Sequence, residues 1–124
     1  MAKTILIIED DNFLQGLEAK KLKKEGYDIL AAANSKEAFD IINGPTKIDL
    51  ILLDLLLPDV DGFEILGKVR ENPAYKDLPV IIFSNLSEEK DIQRAQKLGI
   101  SEFMVKSNFT LDELAEKVRA LIGQ

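Results

Sequence analysis

The chain has 124 residues and a net charge of −6, from 22 acidic and 16 basic residues, and 46% of its residues are hydrophobic. These values are typical of one globular domain that can bury a substantial core. The absence of cysteine and histidine excludes disulfides, thiol nucleophiles, Cys/His zinc sites and Ser-His-Asp triads. Any metal site must therefore use oxygen ligands, which favours magnesium, calcium or manganese.

The negative net charge also argues against a general nucleic-acid or anionic-membrane surface. The lysine-rich stretch KKLKKEG, residues 20–26, is interpreted as the solvated face of a short helix. The apolar run at residues 4–8 is too short for a signal peptide or a membrane span. The sequence therefore favours a cytoplasmic protein that binds neither nucleic acid nor membrane.

The hydrophobic pattern predicts strands that alternate with helices along the whole chain. The strand runs are nearly continuous, which suits parallel strands covered on both faces. The predicted elements, in chain order, are a strand at 4–8, a helix at 12–25, a strand at 28–32, a helix after Ser35, a strand at 50–53, a helix after Asp61, a strand at 79–83, a helix at 88–98, a strand at 102–105 and a helix after Thr110.

Several helix ends carry recognisable signals. Ser35 and Asp61 are predicted N-caps, and Glu64 completes the spacing of a capping box with Asp61. Thr110 and Glu113 predict a capping box for the last helix. Two glycines, Gly26 and Gly99, follow predicted helices as stops.

Five strand–helix units imply a parallel sheet with right-handed crossovers. The length fits an open, doubly wound α/β sheet of five strands and is too short for an eight-unit barrel. We expect the flavodoxin-like strand order 2-1-3-4-5, in one domain that covers residues 1–124.

Polar residues fall at the carboxyl ends of the predicted strands, where open α/β sheets bind ligands. Glu9 and Asp10 follow the first strand, Asp54 ends the third, Ser84 the fourth and Lys106 the fifth. The first and third strands are neighbours in the expected order. The acidic side chains should therefore converge at one edge of the sheet.

Three carboxylates at close quarters repel each other unless a positive charge lies between them. Magnesium prefers oxygen ligands, and Lys106 would add a second positive charge. Such a site suits an aspartate that accepts a phosphoryl group, because carboxylates act as nucleophiles of this kind and cations neutralise the phosphoryl oxygens. The alternative for Asp54 is a strand-terminal acid that caps a turn.

Four motifs at the strand ends, IIEDD, LLDLLLPDVDG, IIFSN and FMVKS, together resemble a response-regulator receiver domain of the CheY type over essentially the whole chain. The resemblance implies that Asp54 is the phospho-accepting aspartate. It also implies that Mg²⁺ is bound by Asp10 directly, by Glu9 through water, by Asp54 and by the backbone carbonyl of Leu56.

Three further roles are implied by the resemblance alone. Ser84 matches the switch hydroxyl that moves toward the phosphoryl group, and Lys106 matches the lysine that pairs with it. Phe103 matches the switch aromatic, whose rotamer reports activation; by itself it would be an ordinary half-buried strand residue.

The family likeness further implies a function in a two-component or phosphorelay system. A histidine kinase or a histidine phosphotransfer protein would donate the phosphoryl group, and the surface at residues 88–122 would engage a downstream protein target that the sequence does not name. The family catalyses its own phosphorylation and dephosphorylation without being an enzyme in the turnover sense. We expect a diffusible single-domain regulator or relay intermediate, as a monomer or a phosphorylation-linked dimer.

Three positions depart from the family pattern. Asn85 stands where a small residue is usual, and Ser107 where proline after a cis peptide bond is typical, so the geometry of the Lys106–Ser107 bond stays open. Leu56 places an apolar side chain beside the site, where it would hinder attacking water. These departures keep a second hypothesis open, in which the chain is a receiver-like interaction module that no longer cycles phosphate.

Two other classes on similar folds fit poorly. Phosphatases of the haloacid-dehalogenase type carry a second acid two residues after their aspartate, and here that position is Leu56. A flavin-binding electron carrier needs a phosphate-cradling loop after the first strand. The acidic EDDNF stretch would repel phosphate there.

Overall fold

The computed structural model describes residues 2–124. Five parallel strands form one sheet in the order β2-β1-β3-β4-β5, which confirms the predicted fold and strand order. The elements, in chain order, are β1 (Thr4–Ile8), α1 (Asn12–Lys24), β2 (Asp28–Ala32), α2 (Ser35–Ile42), β3 (Leu50–Leu53), α3 (Gly62–Glu71), β4 (Val80–Ser84), α4 (Glu89–Leu98), β5 (Glu102–Val105), a 3-10 turn (Lys106–Asn108) and α5 (Leu111–Ile122).

The strands are apolar at nearly every position because both faces of the sheet are covered. Alternate side chains of β1 enter different cores: Leu6 packs with residues of α2, α3 and α4, whereas Ile7 packs with residues of α1 and α5. All four residues of β3 are buried. No helix within residues 2–124 has the length and apolar character needed to cross a membrane.

Strand β4 lies one residue further along the chain than predicted, at Val80–Ser84 instead of 79–83. Proline has no N–H to donate to a neighbouring strand, so Pro79 contributes only its carbonyl, which accepts from Ile51 N at 3.0 Å. At the other end, Ser84 pairs with Val105 of β5. This shift makes Ser84 part of the sheet and fixes its backbone.

Two helix caps differ from the predictions. Asn34, not Ser35, is the N-cap of α2, and its side chain accepts from Glu37 N. Asp61 caps α3 as predicted but accepts from Phe63 N. The predicted capping box with Glu64 is therefore not formed.

Other predicted helix ends are confirmed. The capping box of Thr110 and Glu113 is present, Gly99 is the C-cap of α4, and Gly26 follows α1 with a φ of 102°. Every peptide bond within residues 2–124 is trans, and after β5 the chain enters the short 3-10 turn.

Gly62 lets the first turn of α3 approach the chain that follows β3. Its N–H donates to Leu55 O at 3.0 Å, and a Cβ at this position would lie 2.5 Å from Leu55 Cα and 3.0 Å from Asp54 O. These neighbours are backbone atoms, which cannot move aside without displacing the loop after Asp54.

We expect Gly62→Ala to lower the free energy of unfolding by about 2 kcal/mol, because the added methyl overpacks the backbone. Gly67→Ala is the matched control on the same helix, since a Cβ there meets nothing within 4 Å. It should raise stability by about 0.5–1 kcal/mol. Urea unfolding of both variants measures the difference, and equal effects would contradict the steric argument.

Candidate functional site

The predicted site residues meet at the carboxyl edge of the sheet. Glu9 and Asp10 directly follow β1, and Asp54 directly follows β3. Strands β1 and β3 are hydrogen-bonded neighbours, and Asp54 N donates to Ile8 O at 3.0 Å. Strand pairing therefore brings the three acids together, as the strand order predicts.

Asp54 is 5% exposed, and its carboxylate has partners on both oxygens. Oδ1 accepts from Ser84 Oγ at 2.7 Å and from Leu56 N at 2.9 Å. Oδ2 accepts from Lys106 Nζ at 2.6 Å. An acid can lie in this apolar stretch because its charge is paired and hydrogen-bonded.

Lys106 lies between two acids. Its ammonium is 2.5 Å from Glu9 Oε1 and 2.6 Å from Asp54 Oδ2. Burial alone would lower the pKa of Lys106, but hydrogen bonds to Asp54 and Glu9 outweigh it and raise that pKa. Lysine therefore remains charged in this setting, and the departure at Ser107 does not prevent Lys106 from reaching the site.

Glu9 is 2% exposed, and its second oxygen, Oε2, accepts from Asp11 N at 3.2 Å. Burial raises the pKa of Glu9, while the hydrogen bond from Lys106 opposes that rise. Asp11 is the N-cap of α1, and its side chain accepts from Leu14 N.

The carboxylates of Glu9, Asp10 and Asp54 each offer an oxygen within 4.8 Å of the others. Glu9 and Asp54 are buried, whereas Asp10 is exposed, so the cluster opens to solvent on one side. Three acids face one lysine, which leaves excess negative charge. A donor set of carboxylate oxygens suits a hard divalent cation such as Mg²⁺ or Mn²⁺.

The remaining predicted residues differ in their exposure. Phe103 is half-buried and packs against the core on the α2, α3 and α4 side. Leu56 is 50% exposed and pairs with Asp61 through an isolated β-bridge. Asn85 and Ser107 are exposed.

Sequence reasoning does not single out three residues near the site, which are Gln15, Asp59 and Glu18. Gln15 contacts the main chain at the ends of β1 and β2. Ser35 donates to Asp59 through its N–H and, at 2.6 Å, its hydroxyl, which fastens the loop after β3 to α2. No signal in the sequence links Asp59 to Ser35, which lies 24 residues away.

Glu18 is the third residue that sequence reasoning misses. It is 1% exposed, and within residues 2–124 its Oε1 has no hydrogen-bond partner. Burial and then the negative charge of Glu9 raise the pKa of Glu18 to about 8, against the opposing charge of Lys106. One signal exists: Glu18 precedes the buried Leu22 by four residues, which places both on one helix face.

A family model described as the response regulator receiver domain matches residues 5–119. The chain belongs to this family. Receiver domains act in general in phosphorylation-dependent signalling, bind Mg²⁺ at an acidic pocket and are not classical enzymes.

Individual relatives agree with this membership. The chain is 36% identical over 121 residues to the transcriptional regulatory protein KdpE of Staphylococcus aureus, in a match that covers 98% of the chain but 50% of KdpE. It therefore spans about half the length of that relative.

Solved receiver structures share the fold. A two-component response regulator from Clostridium difficile superposes with a TM-score of 0.88 at 29% identity, over 96% of this chain and 94% of the other. The Mn²⁺-bound form of response regulator Rcp1 superposes with a TM-score of 0.82 at 26% identity, over 95% of this chain and 92% of Rcp1.

The raised pKa of Glu18 predicts a pH-dependent stability. The folded receiver holds this proton up to about pH 8, whereas an ordinary glutamate loses it near 4.5. The folded state therefore binds more protons between these values, and the free energy of unfolding should fall as pH rises through the window, by on the order of 5 kcal/mol.

Glu18→Gln keeps the shape of the side chain and removes the titration. Urea unfolding between pH 5 and pH 9 should show the wild type losing stability relative to this variant as pH rises. Parallel curves for the two proteins would contradict the prediction.

Proposed function

We propose that this receiver domain is a phosphorylation-controlled switch in which Asp54 accepts a phosphoryl group from a histidine kinase or a histidine phosphotransfer protein. The observation that carries the proposal is the direct contact of Asp54 with both Ser84 Oγ and Lys106 Nζ. A hydroxyl donor and a fixed ammonium at one carboxylate are the groups that a transferred phosphoryl requires.

In the proposed reaction, an Asp54 oxygen attacks the phosphorus atom of the donor's phosphohistidine. The new O–P bond forms as the N–P bond breaks, and the imidazole leaves with the bonding electrons and takes up a proton from solvent. The product is an aspartyl phosphate on Asp54. Lys106 and Ser84 then exchange their contacts with the carboxylate for contacts with the phosphoryl oxygens.

Mg²⁺ would be held by Asp10, Asp54, the backbone carbonyl of Leu56 and, through water, Glu9. The cation supplies charge neutralisation for the phosphoryl oxygens. The excess of acids over Lys106 in the cluster supports a divalent ion here, and the Mn²⁺-bound form of the relative Rcp1 supports the choice of a hard metal.

The output would begin at Ser84. Its hydroxyl accepts from Leu86 N at 3.3 Å. A shift of Ser84 toward a phosphoryl group would therefore move the loop that leads into α4. Phe103, on the neighbouring strand β5, is the proposed switch aromatic. Together they would alter the surface at residues 88–122, which engages the downstream target, by a bias between two conformations.

Self-catalysed hydrolysis would end the signal. Leu56 and Asn85 flank the acceptor and are proposed to slow the approach of water to the phosphoryl group. We further propose that the protein acts in the cytoplasm, as a monomer or a phosphorylation-linked dimer.

Acetyl phosphate tests the proposal without a partner kinase. We expect intact mass spectrometry to show one added phosphoryl group on the wild type with Mg²⁺ present, and none after removal of Mg²⁺ by chelation. Acetate is the leaving group in this assay. Asp54→Asn keeps the shape of the acceptor and should give no adduct, because the amide is a poor nucleophile.

The control for nonspecific acylation or phosphorylation is Asp40→Asn, which changes an exposed carboxylate of α2 outside the acidic cluster and should leave the adduct in place. Failure of the wild type to react, although it binds Mg²⁺, would overturn the proposal. The non-cycling interaction module would then be the better description.

A further inference from the structure

The loop that carries Glu9 and Asp10 is fastened by one side chain of α1. Gln15 Nε2 donates to Glu9 O at 2.9 Å and to Ala32 O at 3.1 Å. The backbone N–H of Gln15 also donates to Asp11 O at 2.8 Å. One residue therefore holds the main chain on both sides of Asp10.

The two side-chain bonds also join the ends of two strands. Ala32 O, at the end of β2, already accepts from Glu9 N at 3.0 Å, so Gln15 adds a second donor to the same carbonyl. The register of β1 with β2 ends at Ile8 and Ala32, so Glu9 N is the last donor of the acidic pair to β2. The amide of Gln15 extends the ordered backbone past the end of the strand.

Only a glutamine meets these requirements at neutral charge. A primary amide has two N–H donors, and both are directed at carbonyl oxygens. Glutamate of the same length offers only acceptors when ionised and would face two oxygens. Methionine fills a similar volume without a donor, and asparagine carries the same amide on a stem one methylene shorter.

We propose that Gln15 is a positioning residue for the metal-binding acidic pair. It holds the Glu9–Asp10–Asp11 main chain in place. The backbone that carries the exposed carboxylate of Asp10 is therefore already ordered before a cation binds. This inference rests on the proposed function of the cluster as a Mg²⁺ site. Groups that orient metal ligands contribute about 10-fold or more to metal affinity.

The proposed role affects Mg²⁺ affinity but not the rate of phosphoryl transfer, whereas a general structural defect would change both. Loss of the Gln15 amide should weaken Mg²⁺ binding, because the ligand loop becomes less ordered. It should not change the transfer step at saturating Mg²⁺, since Gln15 contacts neither Asp54 nor Lys106 nor Ser84 among the hydrogen bonds of residues 2–124.

The test is Gln15→Met, measured by isothermal titration with MgCl₂ and by the acetyl phosphate reaction at varied Mg²⁺. We expect the Mg²⁺ dissociation constant to rise about 10-fold, with the rate at saturating Mg²⁺ within about two-fold of wild type. In Gln15→Asn the shorter side chain cannot reach Glu9 O and Ala32 O, so this variant should show the same loss of Mg²⁺ affinity. It replaces Gln15→Met in the test if the methionine variant does not fold. Gln93→Met is the matched control, an exposed glutamine of α4 that bonds Glu89.

A readout without metal completes the test. Amide hydrogen exchange of Asp11 and Gln15 should accelerate in Gln15→Met and stay unchanged in Gln93→Met. An unchanged Mg²⁺ affinity in both Gln15 variants would overturn the inference, even if their stability falls, because Gln15 would then only attach α1 to the sheet. Failure of the wild type itself to bind Mg²⁺ would instead overturn the proposed function.

Discussion

The whole site depends on one lysine ammonium group. Lys106 pairs with Glu9 and Asp54, which come from the ends of β1 and β3, while Lys106 itself follows β5. Two carboxylates this deeply buried would be very costly without it, because an unpaired buried charge loses its hydration. The parallel order β2-β1-β3-β4-β5 is what lets three distant segments of chain supply these charges at one edge.

One lysine does not balance the charges around it. Asp10 adds a third carboxylate at the surface of the cluster, and Glu18 lies buried behind it on α1 with no hydrogen-bond partner for Oε1 within residues 2–124. Glu18 avoids further repulsion by keeping its proton, as its raised pKa indicates. The remaining repulsion among the acids should lower the free energy of unfolding, and a bound cation would relieve it. Functional clusters commonly reduce the stability of the fold that carries them.

Sequence reasoning recovers what depends on strand order. Continuous apolar runs identify buried parallel strands, and the residue after each strand must lie at the shared edge, so the sequence alone is enough to place Asp54 and Lys106 at the same edge of the sheet. It does not predict side-chain contacts that depend on the conformation of a loop or on the rotation of a helix about its axis. Asn34 and Ser35 are both acceptable caps, and only the loop carrying Asp59 decides that Ser35 is used elsewhere. Whether Gln15 reaches two carbonyls depends likewise on the rotation of α1.

The hydrogen bonds that hold the loops around the site are distributed unevenly, and this determines which loop should move. The loop after β1 is held by Gln15, and the loop after β3 by the bonds between Ser35 and Asp59. By contrast, the segment after β4 is exposed at Asn85, and helix α4 begins without a side-chain cap. Its link to Asp54 is the chain of hydrogen bonds from Leu86 N through Ser84 Oγ to Asp54 Oδ1. A phosphoryl group on Asp54, as proposed, would therefore meet hydrogen-bonded loops on two sides and a less well held loop on the third, so displacement should concentrate between β4 and α4.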